Sequence, residues 1–206
     1  MKTTVIMEVG NNWESEQDIL DSIEFGRSRG CLIKFQSHQG EFEHLKKYVI
    51  PKDLMKKIAA DDVFYSVFSV EMVDWLEEHV KPRYYKLASR SFNDTTLIQR
   101  VADTGARVIM SVPYPNKKPD MPFEYLHCVA EYPASNAHLE CLLDGLSDHT
   151  ISTLVPALAV AKGCSIIEKH FSIREMQTPD RPHSLLPAQW DEMLENVKQA
   201  EEHCNL

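Results

Sequence analysis

The chain has 206 residues and 22 Lys and Arg against 31 Asp and Glu, a formal charge of −9, which speaks against a general nucleic-acid surface. Its 43% hydrophobic and 26% charged residues are ordinary for a globular protein, and no apolar run reaches the roughly 20 residues of a membrane span. The N-terminal Met1-Lys2-Thr3-Thr4-Val5 lacks the apolar stretch of a secretory leader, and the five cysteines, at no metal-binding spacing, read as buried reduced thiols of a cytoplasmic protein.

Short β-rich runs alternate with helical stretches almost to the end. Residues 5–9 form a first strand, and 15–29 a helix in which Ile19, Ile23 and Phe25 supply part of an apolar stripe. Gly30 is a fitting helix stop. Residues 31–36 are strand two, followed by a polar irregular segment over 37–48. Strand three is 63–67, and a helix over 69–79 carries Val73, Leu76 and Val80 at helical spacing. Strand four covers 84–89, Asn93 caps a helix to about 103, and strand five is 107–112. Residues 113–122 hold too many prolines for a helix, so the fifth helix is expected to be missing. Strands six, seven and eight are 124–129, 145–148 and 165–171, with a helix over 154–162 between the last two and a final helix from Pro187 to about His203. Eight strands with mostly helical crossovers indicate a compact (β/α)8 TIM barrel in a single domain, 1–206. Such barrels typically need about 250 residues, so the connections must be trimmed.

Barrel enzymes place their active sites at the C-terminal strand ends, and here these ends are polar. They offer Glu8, Lys34 and Gln36, Lys86 and Ser89, Ser111, His127 with Tyr132, Ser147 to Thr150, and Glu168 to His170. His149 and His170 end consecutive strands, which pair about 4.8 Å apart. Their imidazoles can converge on a divalent metal such as manganese, with positions left for water and substrate oxygens; the alternative is two hydrogen-bonded histidines in a polar barrel mouth. Glu8, on the neighbouring first strand, either approaches that site or pairs with a lysine. Lys34 and Lys86 lie inside apolar strands and must find an anion, reach solvent or lose the proton. Phosphate or carboxylate recognition, with Ser89, Ser111 and Ser147 as neutral donors, is one answer. A Schiff base and ion pairs with Glu8 or Glu168 are the others. His127, Cys128 and Cys164 read as strand packing, and Trp75 and Trp190 as helix residues covering the barrel.

These strand ends also spell a known pattern. Gly145-Leu-Ser-Asp-His-Thr150 and Ile167-Glu-Lys-His-Phe171 stand in order and at family-like separation. Glu8-Val-Gly-Asn-Asn12, Lys34-Phe-Gln36, Lys86-Leu-Ala-Ser89, Leu126-His-Cys128 with Tyr132-Pro133, and Pro179-Asp180 with Ser184 support them. From residue 8 to about 201 the chain resembles the N-acetylneuraminate (sialic acid) synthase family, which includes the legionaminate and pseudaminate synthases.

The resemblance implies condensation of phosphoenolpyruvate with a sugar aldehyde such as N-acetylmannosamine, giving a nonulosonic (sialic-type) acid and phosphate. It implies that His149 and His170 hold manganese, with magnesium or cobalt as substitutes. Lys34, Lys86, Ser89, Ser111 and Ser147 match positions around phosphoenolpyruvate, while Glu8, Tyr132 and Asp180 match positions near the sugar; Glu8, Lys86 and Asp180 are the catalytic candidates. The lysines are then anion clamps. The sequence departs from the pattern at Arg90-Ser91, where Gly-Glu or Gly-Asp is usual, at Trp13 in place of a histidine, and at Ala130 in place of an asparagine. The antifreeze-like domain that carries an arginine into a partner's active site is expected to be absent. The expectation is a cytoplasmic enzyme with no nucleic-acid or membrane partner, its oligomeric state left open with a homodimer as one candidate. Its alternatives are a synthase or lyase acting on another aldehyde, and a catalytically weak phosphoenolpyruvate- and metal-binding protein that needs a partner.

Overall fold

The computed structural model describes residues 2–204. Eight parallel strands close a barrel in sequence order: β1 (Thr4–Gly10), β2 (Leu32–Gln36), β3 (Val63–Ser66), β4 (Tyr84–Leu87), β5 (Arg107–Pro113), β6 (Glu124–Cys128), β7 (Gly145–Asp148) and β8 (Ile166–His170). Pairing of β1 with β8, Thr4 opposite Ile166 through Glu8 opposite His170, completes the ring. The helices are α1 (Glu16–Arg27), α2 (Lys52–Lys57), α3 (Val70–His79), α4 (Thr95–Ala102), α5 (Val155–Ala161) and α6 (Pro187–His203). None is long and apolar enough to cross a membrane.

The barrel interior is built in layers. Ile6, Phe64, Tyr84, Ile109, Leu126 and Ile166 form one buried cluster, with Leu32 packed against it. Side chains alternate across a strand, so the next inward position lies two residues on. Those positions are Glu8, Ser66, Lys86, Ser111, Cys128, Glu168 and Lys34, all buried. The apolar layer is the plug beneath, and the polar layer is the floor of whatever the barrel mouth holds. Gly145 completes the lower layer on β7, because a methyl group there would meet the Ile166 carbonyl oxygen at 2.2 Å and Leu126 at 2.6 Å.

A second, larger core lies between barrel and helices. Outward residues such as Met7, Ile33, Tyr65 and Tyr85 pack there against Ile19, Met55, Leu76 and Val101. Trp190 is wholly buried and meets Phe171 edge-on with ring centres 5.4 Å apart, and Phe171 stacks on Phe25. Trp75 is half-buried against the same core. Glu201 of α6 accepts the backbone N–H groups of Lys2 and Thr3 at 2.8 and 2.6 Å, tying the last helix to the start of β1.

Several expectations need correction. Strand four stops at Leu87, and Ser89 lies in a short 3-10 turn, Ser89–Ser91. The cap of α4 is Asp94, whose carboxylate accepts the Leu97 N–H at 3.0 Å, one residue beyond the expected Asn93. The segment after β2 contains a 3-10 helix, Glu43–Tyr48, and leads to the unforeseen α2. The proline-rich fifth crossover has no helix, as expected, and neither has the sixth, between β6 and β7. Cys31, Cys128 and Cys164 are buried free thiols, but Cys141 is half-buried and Cys204 exposed.

Candidate active site

A cleft of about 210 Å³ opens at the C-terminal end of the barrel. All ten residues singled out from the sequence line it: Glu8, Lys34, Lys86, Ser89, Ser111, Tyr132, Ser147, His149, His170 and Asp180. The period-two rule explains the convergence, since the apolar plug fixes which face of each strand points inward.

The floor is a compensated charge network. Lys34 Nζ lies 3.1 Å from Glu8 Oε2 and 3.5 Å from Glu168 Oε2, and donates to Ser66 Oγ at 2.9 Å. Lys86 Nζ donates to Ser111 Oγ at 2.6 Å and to the Leu87 carbonyl at 3.2 Å, and stands 3.8 Å from Glu168 Oε1. Glu168 Oε1 also accepts the Ser147 hydroxyl at 2.9 Å. Burial works against the ammonium of Lys34, but Glu168 and Glu8 outweigh it and hold the group above its usual range. Burial lowers Lys86, with Glu168 opposing and the Lys34 charge reinforcing the drop. Burial would raise Glu168, yet the two lysines keep it below the usual carboxylate range. Glu8 differs: burial lifts it to about 7, because Lys34 only partly offsets that cost and the Glu168 and Asp180 charges add to it. Of the readings open for the lysines, ion pairing with Glu8 and Glu168 is therefore present, and two ammonium groups still face the cleft.

The opposite wall is imidazole-rich. His149 Nδ1 lies 2.6 Å from the Val129 carbonyl. A carbonyl only accepts, so this nitrogen carries the hydrogen and Nε2 keeps its lone pair, 3.4 Å from Ser147 Oγ. Burial pushes His149 down to about 4 and His170 well below its usual value, so both rings are neutral. Their centres are 5.7 Å apart. Tyr132 covers them, its ring 4.2 Å from that of His149 and 6.3 Å from that of His170. The outward residues beside these histidines lock the strand ends. Lys169 Nζ binds Asp148 Oδ2 at 2.6 Å and the Thr150 carbonyl, so both neighbours of His149 are pinned to the neighbour of His170.

Asp180 enters from the loop after β8. It accepts the Asn11 N–H at 2.9 Å and the Asn11 side-chain amide at 3.2 Å. Its oxygens stand 3.9 Å from His170 Nδ1 and 4.0 Å from His183 Nε2, and both nitrogens are buried without a hydrogen bond. His183 was not anticipated from the sequence, nor were Asn11, His44 and Ser66 as lining residues. Ser66 was legible two residues after Phe64 on the inward face; His183 lies in a loop turn whose direction no spacing reveals. Ser91, where an acidic group is usual, is buried and does not line the cleft.

Neutral imidazoles with an open lone pair and an unpartnered buried nitrogen fit a divalent metal held by His149 and His170. Among the described residues no three His, Cys, Asp or Glu side chains are placed to hold an ion, so a metal held by this pair would need water or other oxygens to complete its shell.

A closed parallel α/β barrel with a buried ionic floor and paired imidazoles at its strand ends defines a barrel whose site sits where this architecture holds catalytic groups. The chain belongs to the NeuB family, whose family model matches residues 31–205. It is 32% identical to the pseudaminic acid synthase of Helicobacter pylori over 67% of this chain and 47% of that protein. It is 27% identical to an uncharacterised protein of Methanocaldococcus jannaschii over 97% of this chain and 71% of that one. The chain thus spans about half the length of the pseudaminic acid synthase it matches. The crystal structure of an N-acetylneuraminic acid synthetase from Leptospira borgpetersenii, in complex with citrate, superposes with a TM-score of 0.87 at 24% identity, covering 100% of this chain and 86% of that one.

Proposed function

We propose that the chain condenses phosphoenolpyruvate with a sugar aldehyde to give a sialic-type acid and phosphate. The observation that carries this reading is the juxtaposition of two buried lysines with two neutral histidines in one cleft of a NeuB-family barrel. Phosphoenolpyruvate is a small, multiply charged anion. Lys34 and Lys86, with the hydroxyls of Ser89, Ser111 and Ser147, offer it charge and hydrogen bonds at the floor. The sugar then lies above, toward Glu8, Tyr132 and Asp180.

His149 and His170 would hold a divalent metal, manganese by the resemblance, and the chemistry it would supply there is Lewis-acid polarisation of an aldehyde. In the reaction, carbon 3 of phosphoenolpyruvate forms a bond to the aldehyde carbon, and the aldehyde oxygen takes up a proton. Water then adds at carbon 2, and the tetrahedral intermediate expels phosphate to leave the 2-keto acid. Glu8, lifted to about 7, can hold or release a proton at neutral pH. Asp180, fixed by Asn11, is oriented to accept sugar hydroxyls. Lys86 keeps the anion in place, and the lysines need no Schiff base. Action in the cytoplasm as a homodimer belongs to the same proposal.

Two outcomes test it. Phosphoenolpyruvate should raise the melting temperature of the wild type by mass action, and Lys86→Met should lose that shift; a full shift in the variant rejects the anion floor. With manganese, purified protein should release phosphate from phosphoenolpyruvate in the presence of an aldose. Turnover of neutral N-acetylmannosamine should fall well below the enzyme median of about 10 per second, because the usual acidic group is replaced by Ser91. Silence across a panel of aldoses would sink the condensation.

A further inference from the structure

We propose that Arg90 is an anion-recognition residue at the cleft mouth, and that the acceptor sugar carries a phosphate or carboxylate at the end remote from its aldehyde. This rests on the condensation proposed above and names the acceptor's chemical class.

Three cations line the cleft: Lys34, Lys86 and Arg90. The two lysines are buried at the floor and share Glu8 and Glu168. Arg90 is exposed, and its guanidinium has no carboxylate partner among the described residues. That is unusual in a chain with 31 acidic residues. Six of the eight arginines, namely Arg27, Arg29, Arg100, Arg107, Arg174 and Arg181, hold a carboxylate. The seventh, Arg83, leans on Tyr84 and does not line the cleft.

Arg90 is also held. Its guanidinium carbon lies 4.6 Å from the ring centre of Phe42 and 5.9 Å from that of Phe68, and the two rings brace each other edge-on at 5.2 Å. The backbone beneath it is a 3-10 turn, closed by the Ser91 N–H on the Ala88 carbonyl at 2.9 Å. Aromatic contact covers a guanidinium's face and leaves its N–H edge to donate. A planar fork held over a cleft matches a phosphate or carboxylate.

The position selects the acceptor over phosphoenolpyruvate. The floor already meets one small anion with two lysines. An aldose whose reacting carbon lies by His149 and His170 extends several carbons outward, toward the mouth where Arg90 and His44 stand. A neutral hydroxyl tail gives an unpaired guanidinium no counter-charge; an acidic tail does.

The test uses N-acetylmannosaminitol and its 6-phosphate, which lack the aldehyde and cannot react, titrated by calorimetry into the full chain with manganese and phosphoenolpyruvate. The 6-carboxylate analogue tells the two acids apart. Wild type should bind the phosphorylated alditol about 10–100-fold more tightly than the neutral one, the worth of a charge-assisted pair. In Arg90→Gln that ratio should collapse toward one, and Arg90→Lys should restore part of it. Equal wild-type affinities would overturn the proposal. So would an Arg90→Gln variant whose loss falls equally on phosphoenolpyruvate, which would assign the arginine to that anion. Phosphate release from aldoses without preference for the acidic one leaves the condensation standing and rejects this inference. Preferential, Arg90-dependent binding with no turnover of any aldose does the reverse.

Discussion

Glu168→Gln is expected to destabilise the fold by about 3–5 kcal/mol, the usual cost of breaking a buried ion network from one side. The Glu168 side chain is only 5% exposed and lies 3.5 Å from Lys34 and 3.8 Å from Lys86. Glutamine keeps the volume and can still accept the Ser147 hydroxyl, so no cavity obscures the result. What it removes is the counter-charge of two lysines in the middle of a barrel. Glu8, lifted to about 7, compensates them only in part. Urea unfolding at neutral pH reads the loss directly. A second variant, Glu168→Gln with Lys86→Met, should recover part of it, because one stranded ammonium disappears with the carboxylate. A single-variant loss below about 1 kcal/mol, the scale of an exposed pair, would reject a mutually compensated floor. The same network explains how a barrel can keep two lysines buried side by side without unfolding.

The sequence made much of this site legible, and for a local reason. Most strands read as an apolar residue followed two positions later by a polar one: Ile6 then Glu8, Tyr84 then Lys86, Ile109 then Ser111, Ile166 then Glu168. In a barrel that pattern has one meaning, an apolar plug under a polar floor, because inward positions recur every second residue. The proline-rich stretch from Pro113 likewise could only be a loop. What escaped depends on contacts between distant segments. The six-residue α2, with Lys at three of its positions, carries too little periodicity to announce itself. Asn93 and Asp94 are both good caps, and only the distance to Leu97 N decides between them. His183 and Asn11 come from loops, whose paths over the barrel are set by tertiary bonds such as the Asn11 amide to Asp180 and the Asn12 amide to Ser184.

His149→Ala and His170→Ala should each weaken manganese binding by more than about 100-fold and abolish turnover, while leaving the barrel folded. Losing a partner that merely orients a metal-bound histidine already costs 10–100-fold, and here the ligand itself is removed from a pair that has no third His, Cys, Asp or Glu in place among the described residues. The two variants are not equivalent. His149 is held by the Val129 carbonyl at 2.6 Å and by the tilted Tyr132 ring, centred 4.2 Å from its own. Its loss strands that carbonyl and loosens Tyr132, so a measurable drop in melting temperature should accompany the loss of metal. His170 Nδ1 has no hydrogen bond, so its removal should affect stability less and metal affinity as much. Calorimetric manganese titration reads the affinity, and circular dichroism melting reads the fold. If both variants bind manganese like the wild type, the metal does not sit between β7 and β8. The imidazoles would then be hydrogen-bonding groups of the acceptor wall, beside Asp180 and His183, and the aldehyde would have to be polarised by protein donors alone.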